Sequence, residues 1–430
     1  MLDIKRVRTE KELLETLLKR KDPEVSLDPI IALDEDVRRL KTEVEDLKAK
    51  RNHLSKQIGE KKQAKQECSV LMQEVQELGE LITSIDRELL HKEKLLEESL
   101  SIIPNSPMED IPISLDPKDN VCIKSVGEKP TFAFPMKNHV ELNEKLHLFD
   151  FARGAKIAGS GWPCYTGFGA QLEWALLQYM IDTHLAHGFT MWMIPHLVRP
   201  SIMYGSGQLP KFAKQLFQLG DEEYPLYLIP TSEVALNGLH FDEILEETEL
   251  PKRYISYSPC FRREAGAAGS AERGLIRVHQ FNKVEMFCFT QPTQSALVFE
   301  EMVASAERIL QGLGLHYRNM LLVTGDMSFS AAKTVDIEVW LPGQHRYYEV
   351  SSVSNCTDYQ ARRSKIRFRQ GEGKPDFVHT LNGSGLATSR LMVALLENNQ
   401  QEDGSIHLPA VLHKYLHHLP SFPWLHPYKE

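Results

Sequence analysis

The sequence predicts an α+β fold, in which a long antiparallel coiled-coil hairpin near the N-terminus precedes an antiparallel β-sheet flanked by helices. Apolar residues between positions 37 and 89 recur at alternating steps of three and four, which is the heptad spacing of a coiled coil. Four prolines between positions 104 and 117 mark a linker. Beyond the linker, strand-like segments alternate with single helices, a pattern typical of an antiparallel sheet packed by helices.

The coiled-coil prediction rests on two heptad segments, separated by the polar stretch GEKKQAKQEC that begins at Gly59. Arg51 occupies one position of the first apolar seam. Helices of about 30 residues at a rise of ~1.5 Å per residue would form an arm about 45 Å long. A structural or dimerising coiled coil would show the same pattern. The apolar seam positions are Val37, Leu40, Val44, Leu47, Leu54, Ile58, Leu71, Val75, Leu78, Ile82, Ile85 and Leu89.

The charges of the arm are unevenly distributed. Residues 37–70 contain ten Lys or Arg and five Asp or Glu, whereas residues 71–100 contain three and eight. Ion pairs between the two helices would explain part of this distribution. A basic arm would also be suited to lie along a phosphate backbone. The sequence leaves both interpretations open.

Composition restricts the class of protein and its location. Apolar and charged residues make up 42% and 25% of the 430 residues, which argues against global disorder. The net charge of -9 argues against bulk attraction to nucleic acid but not against a local basic patch. The six cysteines form no Cys-x-x-Cys pair, which favours reduced thiols over disulfides or zinc. The N-terminus has no apolar signal segment and no apolar run is long enough to span a membrane, so we expect a cytoplasmic protein without a membrane partner.

The linker divides the chain into two predicted domains, residues 1–115 with the arm at about 32–100, and residues 116–430. In the second domain, QLEWALLQYMIDTHLAHG predicts an amphipathic helix that ends at Gly188, and FTMWMIP predicts a buried strand that ends at Pro195. Further strands are predicted in RYISYSPCF, GLIRVHQFNKVEMFCF, TVDIEVWLP and RYYEVSSVS, and a helix in GLATSRLMVALLENN.

Two short stretches carry polar residues between apolar flanks. In IPTSEVAL, the residues Thr231, Ser232 and Glu233 suit a polar site, although an N-cap followed by an acidic first helical turn would explain them equally. In LNGSGLATSR, a Gly-Ser-Gly turn is predicted to lead into a helix whose second turn presents Arg390. A lone Gly-x-Gly is a weak signal and often only marks a helix entry.

The charged residues on either side of an Ala-Gly-Ser stretch suit a nucleotide site. Arg262 and Arg277 could hold phosphates, because a guanidinium matches paired oxygens. Phe281 and Arg390 could enclose a purine ring by stacking and cation–π contact. A strand glutamate such as Glu285 would be costly to bury unless it met a cation or a donor, and an amino acid supplies an ammonium.

The strand YYEVSSVSN presents oxygen ligands. Glu349 and Ser351 lie on one face, and a β-bulge could bring Ser352 beside Glu349. A carboxylate with a hydroxyl is a hard-oxygen pair suited to Mg²⁺ carried by a nucleotide.

Five motifs in this order resemble the bacterial-type seryl-tRNA synthetase family of class II aminoacyl-tRNA synthetases over essentially the whole chain. They follow the N-terminal arm and are GSGQLPKF, PTSEVAL, FRREAG…RGLIRVHQFNKVE, EVSSVSNCTDYQARR and LNGSGLATSRLMVALLEN. The resemblance implies a class II antiparallel catalytic sheet in residues 116–430 and a tRNA-binding function for residues 1–115. It also implies a homodimer whose interface includes the helix before Gly188 and the segment up to Pro195, with tRNA bound across the subunits.

The resemblance also implies a role for each matching residue. Glu233 would meet the serine ammonium, and Glu285 with Ser384 would receive the serine hydroxyl. Arg262 would contact the α-phosphate, and Glu264 the nucleotide. The implied positions are, for serine, Thr231, Ser232, Glu233, Glu285 and Ser384; for ATP, Arg262, Arg263, Glu264, Arg277, Val278, Phe281, Glu349, Val350, Ser351, Ser352 and Arg390; for Mg²⁺, Glu349 and Ser352; and as catalytic residues, Arg262 and Arg390.

Within the implied ATP site, the backbone of Val278 would read the adenine edge, while Phe281 and Arg390 would stack on its faces. The family reaction would be ATP-dependent attachment of L-serine to serine tRNA through seryl-adenylate, with ATP as substrate and Mg²⁺ as cofactor. Selenocysteine tRNA is a second candidate substrate. The arm would hold the long variable arm of the tRNA by shape and phosphate contacts.

Some positions depart from the commonest family pattern. Arg263 stands where serine is frequent, AGSAERG replaces the usual loop tip, and Thr388 with Ser389 replace a hydrophobic residue and glycine. Two other functions compete with the synthetase. A class II paralogue that adenylates another small amino acid for a carrier protein would be expected to lack the arm. A purely structural coiled-coil protein would leave the charged motifs without a purpose.

Overall fold

The computed structural model describes residues 1–264, 274–416 and 424–427. The chain forms two compact units, Met1–Pro104 and Asn105–Glu430. The first unit is built from four helices joined by short connections, and the second contains the large sheet. The helices of the first unit are α1 (Ile4–Thr9), α2 (Lys11–Lys19), α3 (Asp28–Gln63) and α4 (Ser69–Ser101).

Helices α3 and α4 form the predicted antiparallel hairpin. Leu40 and Val44 of α3 pack against Ile85 of α4 in an apolar cluster. Ion pairs link Lys41 to Glu93 and Lys50 to Glu74, so partner numbers fall along α4 as residue numbers rise along α3. Seven of the twelve predicted seam residues are buried and the other five are half-buried, so the spacing predicted the packed side of each helix.

The turn of the hairpin is shorter than the sequence predicts. The polar stretch from Gly59 was expected to be non-helical, but α3 continues through Gly59 to Gln63. A single glycine costs a helix only about 1 kcal/mol relative to alanine, so it does not end a helix that packs along its length. The reversal occurs at residues 64–68, where Lys65 adopts the left-handed conformation with φ 55°.

The second unit is built around a sheet of eight strands in the order β1-β10-β11-β12-β15-β9-β8-β4. Neighbouring strands are antiparallel except β4 and β8, which are parallel. The helices are α5 (His139–Leu146), α6 (Phe151–Ala158), α7 (Phe168–Ala186), α8 (Pro200–Gly205), α9 (Ser232–Gly238), α10 (Ser295–Gly312), α11 (Tyr359–Ser364), α12 (Thr388–Asn398) and α13 (His413–Leu416). The strands are β1 (Val121–Val126), β2 (Phe149–Asp150), β3 (Cys164–Tyr165), β4 (Thr190–Met191), β5 (Leu197–Val198), β6 (Tyr227–Leu228), β7 (Ile244–Glu246), β8 (Lys252–Phe261), β9 (Gln280–Thr290), β10 (Tyr317–Leu321), β11 (Lys333–Leu341), β12 (Arg346–Asn355), β13 (Arg367–Arg369), β14 (Asp376–Phe377), β15 (His379–Ala387), β16 (Ile406–His407) and β17 (Trp424–Leu425).

The two faces of the sheet pack against different apolar clusters, as the residues of β9 show. Its residues Met286 and Cys288 belong to the main apolar core, which also contains residues of α7, α10 and α12. Phe287 and Phe289 point to the opposite face and pack with a second apolar cluster that includes Val234 of α9. Because side chains alternate along a strand, the polar residues of β9 with odd numbers lie on that second face. The α+β prediction and its antiparallel sheet are confirmed.

Two local predictions were wrong. FTMWMIP is not a buried strand: β4 has two residues at the sheet edge, and Met191, Trp192 and Met193 are exposed in the single chain. The Gly-Ser-Gly segment is not a turn but part of β15, so Arg390 lies in the first helical turn of α12 rather than the second. Gly383 is needed for close packing, because a Cβ there would meet the Val353 side chain at 3.0 Å.

In the described ranges, none of the helices has the length and apolar character required to cross a membrane. All six cysteines are free thiols.

Candidate functional site

A cavity of about 510 Å³ opens on the second face of the sheet, above strands β9, β12 and β15. The strands supply its base because their polar side chains alternate with the apolar ones that face the main core. Thirteen of the sixteen residues that the sequence predicts for the site line this cavity, although they come from distant parts of the chain. They are Thr231, Glu233, Arg262, Glu264, Arg277, Val278, Phe281, Glu285, Glu349, Val350, Ser352, Ser384 and Arg390.

Three predicted residues do not line the cavity. Ser232 is buried, and its Oγ lies 2.7 Å from Ser258 Oγ. Ser351 is also buried, and its hydroxyl donates to the Ser384 carbonyl at 2.6 Å. The backbone N–H of Arg263 donates to the Gln215 carbonyl at 3.0 Å. These residues support the wall of the cavity from behind or beside it.

The segment Thr231–Glu233 is both a helix N-cap and part of a polar site, the two interpretations that the sequence left open. Thr231 is the N-cap of α9, and its Oγ1 accepts from the Glu233 N–H at 3.3 Å. Both side chains also line the cavity. A helix N-terminus favours a carboxylate in its first turn. The start of α9 therefore stabilises Glu233 at its position in the cavity wall.

Glu233 is a half-buried residue whose carboxyl has amide partners. Its Oε1 accepts from Gln360 Nε2 at 2.6 Å and from Asn382 Nδ2 at 3.2 Å. Burial, and next the charge of Glu285, raise the pKa of Glu233 to about 7. The group is therefore close to half-protonated near neutral pH and would be ionised by an approaching cation.

Lys283 was not among the predicted residues, yet it lies at the centre of this wall. It is buried on β9, two residues before Glu285, so both side chains project to the same face. Its Nζ forms an ion pair with Glu285 and donates to Thr231 Oγ1 at 2.8 Å. The alternation in HQFNKVE could have revealed it, because a lysine on the same strand face as a buried glutamate is a natural ion partner.

Three arginines line the other end of the cavity. The Arg262 guanidinium lies 5.1 Å from the Phe281 ring centroid, and its Nε donates to the Pro230 carbonyl at 3.3 Å. Arg277 forms an ion pair with Glu264 at 3.1 Å. An arginine stacked on an aromatic ring and another held by a carboxylate are pre-oriented donors for phosphate oxygens.

Arg390 projects from the first turn of α12 into the cavity. Its Nη1 donates to the Glu349 carbonyl at 2.8 Å and lies 3.5 Å from Glu349 Oε2, while Nε donates to the Ile276 carbonyl at 3.2 Å. These contacts tie β12, α12 and the segment before β9 together. The guanidinium is therefore fixed by three acceptor atoms, two on Glu349 and one on Ile276.

Strand β12 presents oxygen atoms that could bind Mg²⁺. The register of β11 and β12 shifts beside Val350, and Glu349 and Ser352 both line the cavity. Asp336, opposite Ser352, has a buried Oδ1 with no hydrogen-bond partner in the described part of the chain. Burial, and next the Glu349 charge, raise the pKa of Asp336 well above its ordinary value. The described ranges contain no group of three or more His, Cys, Asp or Glu placed to hold a metal, but Mg²⁺ commonly takes only one or two carboxylates plus substrate phosphates, so the set fits.

Thr388, which stands where a hydrophobic residue is frequent in the family, has a polar partner. Its Oγ1 donates to Glu173 of α7, and Asn282 of β9 donates to the same carboxylate oxygen at 3.0 Å. Burial raises the pKa of Glu173 to about 7, against the effect of these two donors. The start of α12, which carries Arg390, is thereby attached to α7 and β9.

Several lining residues were not predicted as site residues, although Gln208 and Phe212 lie in the motif GSGQLPKF. Gln208, Phe212 and Gln215 approach from the segment before β6, and residues 328–330 approach from the segment before β11. These residues come from irregular segments between strands, where no periodicity indicates which side chain faces the site. The predicted loop contacts at residues 266–272 lie outside the described residues.

Comparisons with known proteins agree with the motifs. Two family profiles match: "Seryl-tRNA synthetase N-terminal domain" over residues 1–107, and "tRNA synthetase class II core domain (G, H, P, S and T)" over residues 217–399. A serine–tRNA ligase from Chlamydia pneumoniae is 54% identical over 416 residues, which are 97% of each chain. A crystal structure of seryl-tRNA synthetase from Pyrococcus horikoshii complexed with ATP has a TM-score of 0.92 at 36% identity and covers 100% of both chains.

A second solved structure has a similar fold. The cytoplasmic serine–tRNA ligase from Naegleria fowleri in complex with AMP has a TM-score of 0.86 at 29% identity and covers 97% of this chain and 98% of its own. The full-length identity, the two matched profiles and the cavity with its motifs lead to one conclusion. The chain belongs to the seryl-tRNA synthetase family of class II aminoacyl-tRNA synthetases.

Proposed function

We propose that the protein attaches L-serine to serine tRNA in an ATP-dependent reaction through a seryl-adenylate intermediate. The observation that carries this proposal is the division of one cavity into a buried end, with Glu285 and the half-buried Glu233, and a more open end with three arginines. The first suits an ammonium and a hydroxyl, and the second suits a triphosphate. Serine–tRNA ligase is the name of relatives that match 97% of the chain.

The buried end would bind serine. Glu233 would meet the ammonium, because burial and the Glu285 charge raise the pKa of Glu233 and an arriving cation would favour its ionised form. Glu285 and Ser384, which pair across β9 and β15, would receive the hydroxyl. Thr231 would add its hydroxyl, and Ser232 would hold the helix start through its contact with Ser258. A site with buried partners for a hydroxyl rejects alanine, because those partners would be left without hydrogen bonds.

The open end would bind ATP. Arg262 would contact the α-phosphate and Arg277 the outer phosphates, with Arg263 adding positive charge beside them. Glu264 would contact the nucleotide, and the Val278 backbone would read the adenine edge. Adenine would stack between Phe281 and Arg390; Phe281 is already covered by Arg262, so we expect that guanidinium to move toward the phosphates when ATP binds.

Glu349 and Ser352 would hold Mg²⁺, which supplies charge neutralisation at the phosphates when bound. Val350 and Ser351 would keep the bulge of β12 in shape, the latter through its hydrogen bond to Ser384. The serine carboxylate would attack the α-phosphorus, pyrophosphate would leave, and the tRNA terminal ribose would then attack the activated carbonyl. No side chain acts as nucleophile, so Arg262 and Arg390 would act by positioning and by stabilising charge.

Residues 1–115 would bind the tRNA through the arm, and residues 116–430 would perform the chemistry. Selenocysteine tRNA is a second substrate under this proposal, which a charging assay with that tRNA tests. A carrier-protein ligase is not favoured, because α3 and α4 form the long arm that such an enzyme would be expected to lack. The free cysteines are consistent with a cytoplasmic location.

The decisive experiment for the activity is serine-dependent exchange between pyrophosphate and ATP. We expect exchange with L-serine and little with L-alanine or L-threonine. Exchange that depends on another amino acid and not on serine would reject the substrate assignment, and transfer of that amino acid to a carrier protein would support the alternative.

We also propose that the protein is a homodimer in which tRNA binds across the subunits. Trp174 of α7 and Trp192 with Met193 after β4 are 53%, 39% and 88% exposed in the single chain. Apolar side chains at a sheet edge are normally covered by another chain. We expect sedimentation equilibrium to give twice the chain mass, and Met193→Asp to shift the protein toward the monomer. A monomeric wild-type protein at micromolar concentration would contradict the proposal.

The pKa of Glu233 leads to a pH prediction. A carboxyl with a pKa of about 7 is protonated below that pH in the free protein, and the serine ammonium would favour its ionised form. Serine binding below about pH 7 should therefore release up to one proton, and affinity should rise between about pH 6 and pH 8. Calorimetry at about pH 6.5 in two buffers of different ionisation enthalpy measures the release.

The control for this prediction is Glu233→Gln, which cannot titrate. We expect that variant to bind serine more weakly and without the proton release. Equal proton release in the variant and the wild type would show that another group titrates.

A further inference from the structure

Lys283 has two partners in the ligand-free cavity, and both belong to the proposed serine pocket. Its Nζ forms an ion pair with Glu285 and donates to Thr231 Oγ1 at 2.8 Å. The side chains of Lys283 and Glu285 are 8% and 2% exposed. A lysine this deeply buried must be paired to remain charged, so the pocket contains a fixed ammonium of its own.

Without Lys283, the buried end of the cavity would have no cation to pair with the carboxylate of an amino acid. The zwitterionic substrate has an ammonium, which Glu233 would bind. It also has a carboxylate, which would lie near Glu233 and Glu285 and would face no cation if Lys283 were absent. Burying a carboxylate beside two others is strongly unfavourable unless a cation faces it. Among the described residues that line the cavity, Lys283 is the one buried cation.

The arginines of the cavity are engaged elsewhere. Arg262 lies over Phe281 and donates to the Pro230 carbonyl. Arg277 is paired with Glu264, and Arg390 donates to the Glu349 carbonyl. The proposed function gives all three to the nucleotide, and Arg262 and Arg277 are exposed whereas Lys283 is buried.

We propose that Lys283 binds the carboxylate of the amino-acid substrate and is thereby the residue that distinguishes an amino acid from an amine of the same size. In the free protein its ammonium pairs with Glu285 and Thr231. When serine binds, the substrate ammonium and hydroxyl take over these two partners in part, and Lys283 turns to the substrate carboxylate. It also reduces the repulsion between that carboxylate and the α-phosphate it must attack. This inference rests on the proposed function.

The test compares L-serine with serinol. Serinol keeps the ammonium and the hydroxymethyl group of serine and has a second hydroxymethyl group in place of the carboxylate. Binding is measured by calorimetry in the presence of a saturating non-hydrolysable ATP analogue. We expect the wild type to prefer serine by about 30-fold or more, since removing one partner of a buried charged pair has effects of that size. In Lys283→Met the preference should fall to about threefold or less, because serine binding weakens while serinol binding does not.

Glu285→Gln is the matched control, since it removes the other half of the same ion pair. We expect it to keep the preference for serine over serinol and to lose the preference for serine over alanine. If Lys283→Met weakened serine and serinol by the same factor, Lys283 would only hold Glu285 in place and the inference would be wrong. A folded wild type that binds neither serine nor serinol would reject the proposed function, and the inference with it.

Lys283→Met leaves the Glu285 charge buried without a partner and could impair folding. The double variant Lys283→Met/Glu285→Gln removes both charges and serves as the second test. Its folding is checked by circular dichroism and thermal unfolding. If this folded variant still preferred serine over serinol as strongly as Glu285→Gln does, the inference would be overturned, and loss of that preference would support it.

Discussion

Arg262→Ala is expected to reduce serine-dependent exchange between pyrophosphate and ATP by about a thousandfold or more. Arg262 lines the cavity beside Phe281 and is the arginine that the proposed function places at the α-phosphate. Without it, the negative charge that develops at the α-phosphate would lack its fixed donor. The side chain is exposed and donates one hydrogen bond, to the Pro230 carbonyl, so we expect nearly unchanged thermal stability.

Arg253→Ala is the matched control for Arg262→Ala. Arg253 lies on the same strand, β8, but forms an ion pair with Glu301 and does not line the cavity. We expect its exchange activity to equal that of the wild type. Full exchange activity in Arg262→Ala would mean that the arginine is not at the α-phosphate, and a large loss in Arg253→Ala would point to a general effect of charge on the sheet.

Replacing residues 59–69 with a short Gly-Ser linker is expected to leave adenylate formation unchanged and to impair tRNA charging strongly. The cavity is lined by residues between Gly207 and Arg390, which all belong to the second unit. The replaced residues comprise the end of α3, the reversal and the first residue of α4. Unchanged charging of serine tRNA would show that the outer arm has no part in tRNA binding.

The ion pairs of the arm allow a sharper test of how it would bind. Lys41, Lys48 and Lys50 pair with acidic residues of α4. Within the described part of the chain, no ion pair is found for the exposed Lys56 and Lys61 or for three more cations near the reversal. The full set of these tip cations is Arg51, Lys56, Lys61, Lys62 and Lys65. The ion pairs confirm the first interpretation of the charges for Lys41, Lys48 and Lys50, and binding of a phosphate backbone by the tip cations stays a prediction.

Two triple variants with the same change in net charge separate these halves. Lys56→Ala/Lys61→Ala/Lys62→Ala should weaken tRNA binding and lower the slope of log K against log salt by about 0.7 to 0.9 for each phosphate that the arm no longer neutralises. The variant in which Lys41, Lys48 and Lys50 become alanine should keep most of that slope, because its lysines already have protein partners. Equal slopes in both variants would mean that net charge alone decides.

The heptad spacing determined the arm, because the positions of apolar residues on a helix fix which side is buried. The same local rule placed the polar residues of β9 and β12 on one strand face. The motifs also identified Glu233, Arg262 and Arg390, since these side chains lie at fixed positions from the ends of their elements. Such features depend on spacing within one segment, which the sequence contains in full.

The tertiary structure alone decided which segments meet. The contact of Lys283 with Thr231 joins a strand to a helix start 52 positions away, and no local pattern contains it. The Gly-Ser-Gly segment pairs as a strand with β12 and β9, and Gly383 packs there against Val353, a neighbour set by sheet order. The exposure of Met193 beside a two-residue strand likewise reflects the sheet edge. Strand order, cross-strand register and the electrostatics of a shared cavity are properties of pairs of segments, so they emerge only when the chain is folded.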